Sequence, residues 1–268
     1  MSVPSKIEHF VGGRHVPSAD GATFDVADPV SNTAYAQAAA GGPADVDRAV
    51  TAARDAFESG RWPGLATRAR AKALSKIADG IEARVVQIAA LETFDTGLPV
   101  TQAKGQAARA AENFRYFADV IVAQHEAAFS QPGQLGYVLR RPAGVAGLIT
   151  PWNTPFMLES WKLAPALASG CTVVLKPAEW TPLSASRLPE IMTEAGVPDG
   201  AFNIVHGIGE DAGAALVAHL LHRRPPTTRC SAGRYRTRDG ATSGATPSSP
   251  PGTPRPPPSS ASTASCSR

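Results

Sequence analysis

Apolar residues recur at three- and four-residue steps through the first half of the chain. Val46, Val50, Ala53 and Phe57 mark a helix opened by Pro43, with Asp45 and Asp47 in its first turn and an end near Ser59-Gly60. Leu74, Ile77, Ile81, Val85 and Ile88 form the stripe of a longer helical region over Thr67 to Phe94, where Gly80 is expected to mark a break. The run Asp95-Thr96-Gly97-Leu98-Pro99 stops it. A third helix is predicted from Thr101 to Ala128, turning Phe114, Phe117, Ile121 and Val122 to the core. Ahead of these helices, Ile7–Val11 and Thr23–Val26 read as short strands of an N-terminal hairpin or arm. Glycine and Asp-Pro turns separate them. Leu135 to Arg140 is a further strand candidate.

From residue 145 the pattern changes to short apolar runs alternating with helical stripes. Strands are predicted at 145–149, 172–175 and 202–206, and helices at 156–168, 183–195 and 210–219. Parallel strands need crossovers of this length, so the fold class is α/β. We expect a Rossmann-like parallel sheet with flanking helices, preceded by the β-arm and helices. Functional groups then belong just past the carboxyl ends of the strands. The strand at 202–206, last of the series, is expected at a sheet edge.

Composition alters the picture at residue 222. From His222 to Arg268 there is no Val, Ile, Leu, Met or Phe, and eight Arg face one acid, Asp239. Such a segment cannot offset the entropy of ordering itself, which predicts a disordered Arg/Pro/Ser/Thr-rich tail at 222–268 and a folded domain at 1–221. The tail's +7 leaves −4 for residues 1–221 of a chain that is +3 overall. A nucleic-acid tail would interleave aromatics for stacking, and only Tyr235 is present, so nucleic acid is not an expected partner. The switch near His219 suggests a shifted reading frame in GC-rich DNA. Cys171, Cys230 and Cys266 show neither metal spacing nor an even-numbered framework, and the six His are scattered, so no metal is expected. No apolar stretch is long enough to span a membrane, and a cytoplasmic location is expected.

The chemistry gathers at the predicted strand ends. Asn153, on a loop stiffened by Pro151 and Pro155, can donate its amide to a developing oxyanion, or it can cap the helix that Pro155 begins. Lys176 and Glu179 straddle Pro177 after the second strand. They can clamp the two hydroxyls of a ribose, in which case the carboxylate favours NAD over NADP, or they form an exposed ion pair of little energetic value. Gly207-Ile208-Gly209 leads into Gly213 after the third strand, as a phosphate loop or a plain tight turn. Cys171 reads as an inert core thiol.

Taken together, Pro151-Trp-Asn-Thr-Pro-Phe156, Trp161-Lys-Leu-Ala-Pro-Ala-Leu-Ala-Ser-Gly170, Thr172-Val-Val-Leu-Lys-Pro-Ala-Glu179 and Asn203-Ile-Val-His-Gly-Ile-Gly209 resemble the aldehyde dehydrogenase superfamily. So do Glu92-Thr-Phe-Asp-Thr-Gly-Leu-Pro99 and the Arg68/Arg70 helix, and the match is collinear from about His9 to His219. Leu98 and the run around it are most similar to hydroxymuconate semialdehyde dehydrogenases. The resemblance implies NAD(P)-dependent oxidation of a small-molecule aldehyde through a thiohemiacetal and a thioester. It gives Asn153 the oxyanion, Lys176 and Glu179 the adenosine ribose, Ile149, Thr150, Pro151 and Trp152 the wall beside the cofactor, and Gly209 a turn near the adenine.

The departures bear on activity. Segments like the family's Phe-Thr-Gly-Ser turn, its Glu-Leu-Gly-Gly general base and its Gly-Gln-x-Cys nucleophile do not occur in this sequence. Without a thiolate no covalent intermediate forms, and without a carboxylate base no thioester is hydrolysed. The expectation is half an active site, inactive alone or acting as a noncatalytic nucleotide-binding or subunit-associating fragment. The family's homo-oligomeric assembly is not carried over.

Overall fold

The computed structural model describes residues 3–221, so the expectations placed on 222–268 lie outside the described residues. All five residues of strand β9 (Thr172–Lys176) are buried. That is the signature of a strand covered on both faces, which reads in sequence as a continuous apolar run. Val173 and Leu175 enter one core cluster and Val174 the opposite one. β8 (Val145–Ile149) pairs parallel to one side of β9, and β10 (Phe202–Ile204) pairs parallel to the other. The crossovers are α5 (Pro155–Ala168) and α6 (Leu188–Ala195). The larger cluster lies beneath α5, α6, α2 (Thr67–Glu82) and α4 (Val100–Ala123). The other lies beneath α1 (Pro43–Glu58) and α7 (Ala214–Leu221).

The expected parallel sheet is present, but its edge is not where the sequence placed it. β2 (His9–Val11) runs antiparallel to β10, with Ile204 opposite Phe10, and β3 (Arg14–Val16) adds outside β2. The order is β3-β2-β10-β9-β8, so among the described residues β8 is the unpaired side of the parallel trio. Asn203 fixes this junction from within the core. Its Oδ1 accepts from Gly12 N at 2.9 Å, while its Nδ2 donates to Val173 O and Gly200 O at 3.1 and 2.7 Å. The remaining N-terminal strands, β1 (Lys6–Ile7), β4 (Thr23–Ala27) and β5 (Ala34–Ala39), form a separate three-stranded sheet.

Several boundaries also differ. The long helical region is two helices, α2 and α3 (Val85–Thr96), and they part at Ala83-Arg84 rather than at Gly80. Gly80 lies within α2, where a Cβ would sit 3.1 Å from the Ile191 side chain. The glycine serves close approach to α6, while Arg84 reaches across to bridge Glu190 and Glu194. α4 ends at Ala123, and β6 (Ala128–Gln131) and β7 (Gln134–Tyr137) form a hairpin that stops short of Arg140. The helix expected at 183–195 begins as a 3₁₀ turn at Ala185–Arg187, because Pro189 lacks an amide hydrogen for a continuous ladder. Ahead of α7, Gly209–Gly213 form one π-helical turn, closed by Gly213 N donating to Ile208 O at 3.3 Å.

Candidate functional site

The loops named from sequence leave the same end of the parallel trio. Ile149 is in register with Lys176, and Thr150 N donates to Lys176 O at 3.2 Å, so the β8 and β9 exits are adjacent. Val205 N donates to Leu175 O at 2.9 Å, which brings the chain toward Gly209 out beside them. Ile149, Pro151, Trp152 and Asn153 are exposed while Thr150 is buried, so this loop presents most of its side chains outward.

The choice left open for Asn153 is narrowed by the start of α5. Thr154 is the cap residue, with no side-chain cap hydrogen bond. The Phe156 amide, one of the donors that a capping side chain would satisfy, instead donates to Glu92 Oε1 of α3 at 2.8 Å. Asn153 therefore does not serve as the cap. The alternative offered for Lys176 and Glu179 also fails in part. Lys176 is 3% exposed, so the pair is not a surface ion pair. Its Nζ donates to Glu179 Oε2 at 2.8 Å. Burial, the largest single influence, works to raise the Glu179 pKa, but the Lys176 hydrogen bond, the residue's own backbone amide and the Lys176 charge together hold the carboxyl below its ordinary value. Gly209 opens the π turn and is exposed, and a Cβ on it would meet nothing within 4 Å. Cys171 is buried at the start of β9, as read from sequence.

Three acids to which sequence reasoning assigned no role sit behind these loops. Asp95 Oδ2 accepts from Leu183 N at 2.9 Å, just past the Glu179 loop, and the Tyr35 hydroxyl donates to its other oxygen. Burial lifts Glu92 to about 7 against the opposing Phe156 hydrogen bond, with Asp95 adding to the rise. Burial lifts Asp95 to about 6, partly offset by Tyr35 and Leu183. Glu159, one turn into α5, is fully buried and pushed well above the usual carboxylate range, first by burial and then by Glu92 and Asp95. Neither Glu159 oxygen has a partner among the described residues. The available signal was an (i, i+3) acid pair set into the apolar stripe beside Ile88 and Leu91. Trp152 and Trp180, 60% and 68% exposed, line a cavity of about 420 Å³ with Asp28, Pro29, Asp95 and Thr96. No group of acids, His and Cys suited to a metal ion occurs among the described residues. No described helix is long and apolar enough to cross a membrane.

The sequence pattern described as the aldehyde dehydrogenase family matches residues 15–223. A 2-hydroxymuconic semialdehyde dehydrogenase of Pseudomonas sp. (strain CF600) is 44% identical over 221 residues, covering 80% of this chain and 45% of that protein. An NADP/NAD-dependent aldehyde dehydrogenase of Escherichia coli (strain K12) is 43% identical, covering 78% and 43%. Among solved structures, HpcC from Thermus thermophilus is 47% identical with a TM-score of 0.77, covering 81% of this chain and 42% of that one. An indole-3-acetaldehyde dehydrogenase of P. syringae, solved with NAD+, is 37% identical with a TM-score of 0.79, covering 82% and 44%. The chain thus spans less than half the length of each of these four relatives.

Proposed function

Since the chain belongs to the aldehyde dehydrogenase family, we propose that residues 1–221 form the part of such an enzyme that binds NAD and holds the substrate oxyanion. The oxidation it serves converts an aldehyde to a carboxylic acid. NAD, when bound, accepts the hydride. Lys176 donates to and Glu179 accepts from the adenosine ribose hydroxyls. Ile149, Thr150, Pro151 and Trp152 flank the cofactor, and Gly209 leaves room near the adenine. Asn153 donates its amide to the aldehyde oxygen as negative charge develops there. The observation that carries this reading is the adjacent exit of β8 and β9, with Asn153 free of a capping role and a buried Lys176 aimed at Glu179. The residues fit the cofactor. A lysine ammonium and a carboxylate kept ionised supply the donor and acceptor that a ribose diol needs, and Glu179 repels a 2′-phosphate.

A second reading, binding without turnover, rests on the cysteines. Cys171 is the one cysteine among the described residues, and it is buried just ahead of β9. No segment resembling the family's nucleophile turn occurs in the sequence. We therefore expect this chain alone to bind NAD and to leave aldehydes unoxidised. Calorimetric titration with NAD and NADP, together with an NADH absorbance assay on 2-hydroxymuconic semialdehyde and simpler aldehydes, tests both readings. Absence of NAD binding would sink the first, and turnover would sink the second.

A further inference from the structure

We propose that Glu92 and Asp95 are positioning residues that set the separation of the two cofactor-bearing loops, Glu92 through the Phe156 amide and Asp95 through the Leu183 amide. The proposal rests on the reading that these loops hold a dinucleotide. The two acids are three residues apart at the end of α3, so they project from one face of a single rigid element. That helix ends sharply at Gly97, with φ +75°. Glu92 reaches the start of α5, three residues after Asn153, at 2.8 Å. Asp95 reaches the chain four residues after Glu179, at 2.9 Å. Both side chains are buried; Pro151, Trp152 and Asn153, just ahead of Phe156, are exposed, while on the other loop Trp180 is exposed and Leu183 packs with Leu91 of the same helix. The paired strand ends set the loops side by side, and these two hydrogen bonds tie the far end of each loop to the same helix. Tyr35 of β5 holds Asp95 from behind. A neutral Gln or Asn would satisfy the same amides without burying acids against Glu159.

The test uses the purified full chain, titrated separately with NAD and AMP, with hydrogen–deuterium exchange followed over residues 150–158 and 178–185. AMP engages the ribose clamp alone, while NAD spans both loops. Glu92→Ala should weaken NAD about tenfold, leave AMP within about twofold, and accelerate exchange only over 150–158. Asp95→Ala should weaken both nucleotides and accelerate exchange over 178–185. Glu92→Gln and Asp95→Asn, which keep an acceptor oxygen, should restore wild-type behaviour. Equal loss of NAD and AMP in Glu92→Ala, or an exchange increase spread across the chain, would overturn the proposal. If Glu92→Ala does not fold, Glu92→Asp, which withdraws the carboxylate by one methylene, takes its place under the same criteria. If wild type binds neither nucleotide, the dinucleotide reading fails, and local exchange changes still decide whether the acids place the loops.

Discussion

Replacing Glu92 by Gln should stabilise the protein at alkaline pH and do nothing at acid pH. Glu92 is held at about 7 where an unperturbed glutamate titrates at 4.5. The folded state thus binds a proton that the unfolded chain releases above pH 4.5. Stability falls as pH rises from there and levels off past pH 7. At about 1.4 kcal/mol for each tenfold change in proton activity, the full cost near pH 8 is on the order of 3 kcal/mol, less whatever relaxation recovers. Gln keeps an oxygen for the Phe156 amide and removes the titration, and with it the repulsion of Asp95 and Glu159. Urea unfolding followed by tryptophan fluorescence at pH 4.5 and pH 8 gives the difference directly. We expect agreement with wild type at the lower pH and a gain of about 2–3 kcal/mol at the higher. An equal effect at both pH values would show that packing, not ionisation, governs the site. A loss at pH 8 would show that the ionised carboxylate is needed there.

The acid limb has a different origin. Buried His206 is depressed to about 3, chiefly by burial and then by His9, and His9 to about 4 by burial despite Asp45. Stability should therefore decline as pH falls below about 6.5, and His206→Asn should flatten that limb in acid-unfolding curves. Trp62 is fully buried and donates Nε1 to Leu167 O at 3.1 Å. Trp62→Phe should cost about 2 kcal/mol in urea unfolding. Gly207 has φ +145°, and a Cβ there would lie 2.8 Å from Ala212 Cβ and from Gly41 O. Gly207→Ala should lower stability by at least about 2 kcal/mol, seen as a lowered Tm. Glu179→Gln should weaken NAD and narrow the margin between NAD and NADP in calorimetry, by about tenfold in the ratio.

The β8-α5-β9 unit was legible because both strands leave unbroken apolar runs, β9 being buried on both faces and β8 partly buried, and because Pro151 and Pro155 punctuate the loop between them. Its site residues were legible for the same reason, being the polar residues nearest the ends of those runs. The pairing of β2 with β10 was not, since nothing local to His9–Val11 names a partner so distant in the chain. Gly80 misled because a glycine that admits a neighbouring helix looks in sequence like one that ends its own. Glu92 and Asp95 stood in plain view within the Glu92–Pro99 run. Their role needed the third dimension, because each grips a backbone amide that carries no sequence signature.

The Asn203–Gly12 hydrogen bond joins residues 191 apart, so the five-stranded sheet is completed only across nearly the whole described chain. During synthesis the N-terminal hairpin must wait, at roughly 5–20 residues per second, for some ten to forty seconds before its partner strand exists. Until then β2 has only β3 as a partner, and contacts of such long span also form slowly once available. The nascent chain is thus open to chaperone capture for that whole interval, until β10, made some two hundred residues in, brings β2 into the sheet.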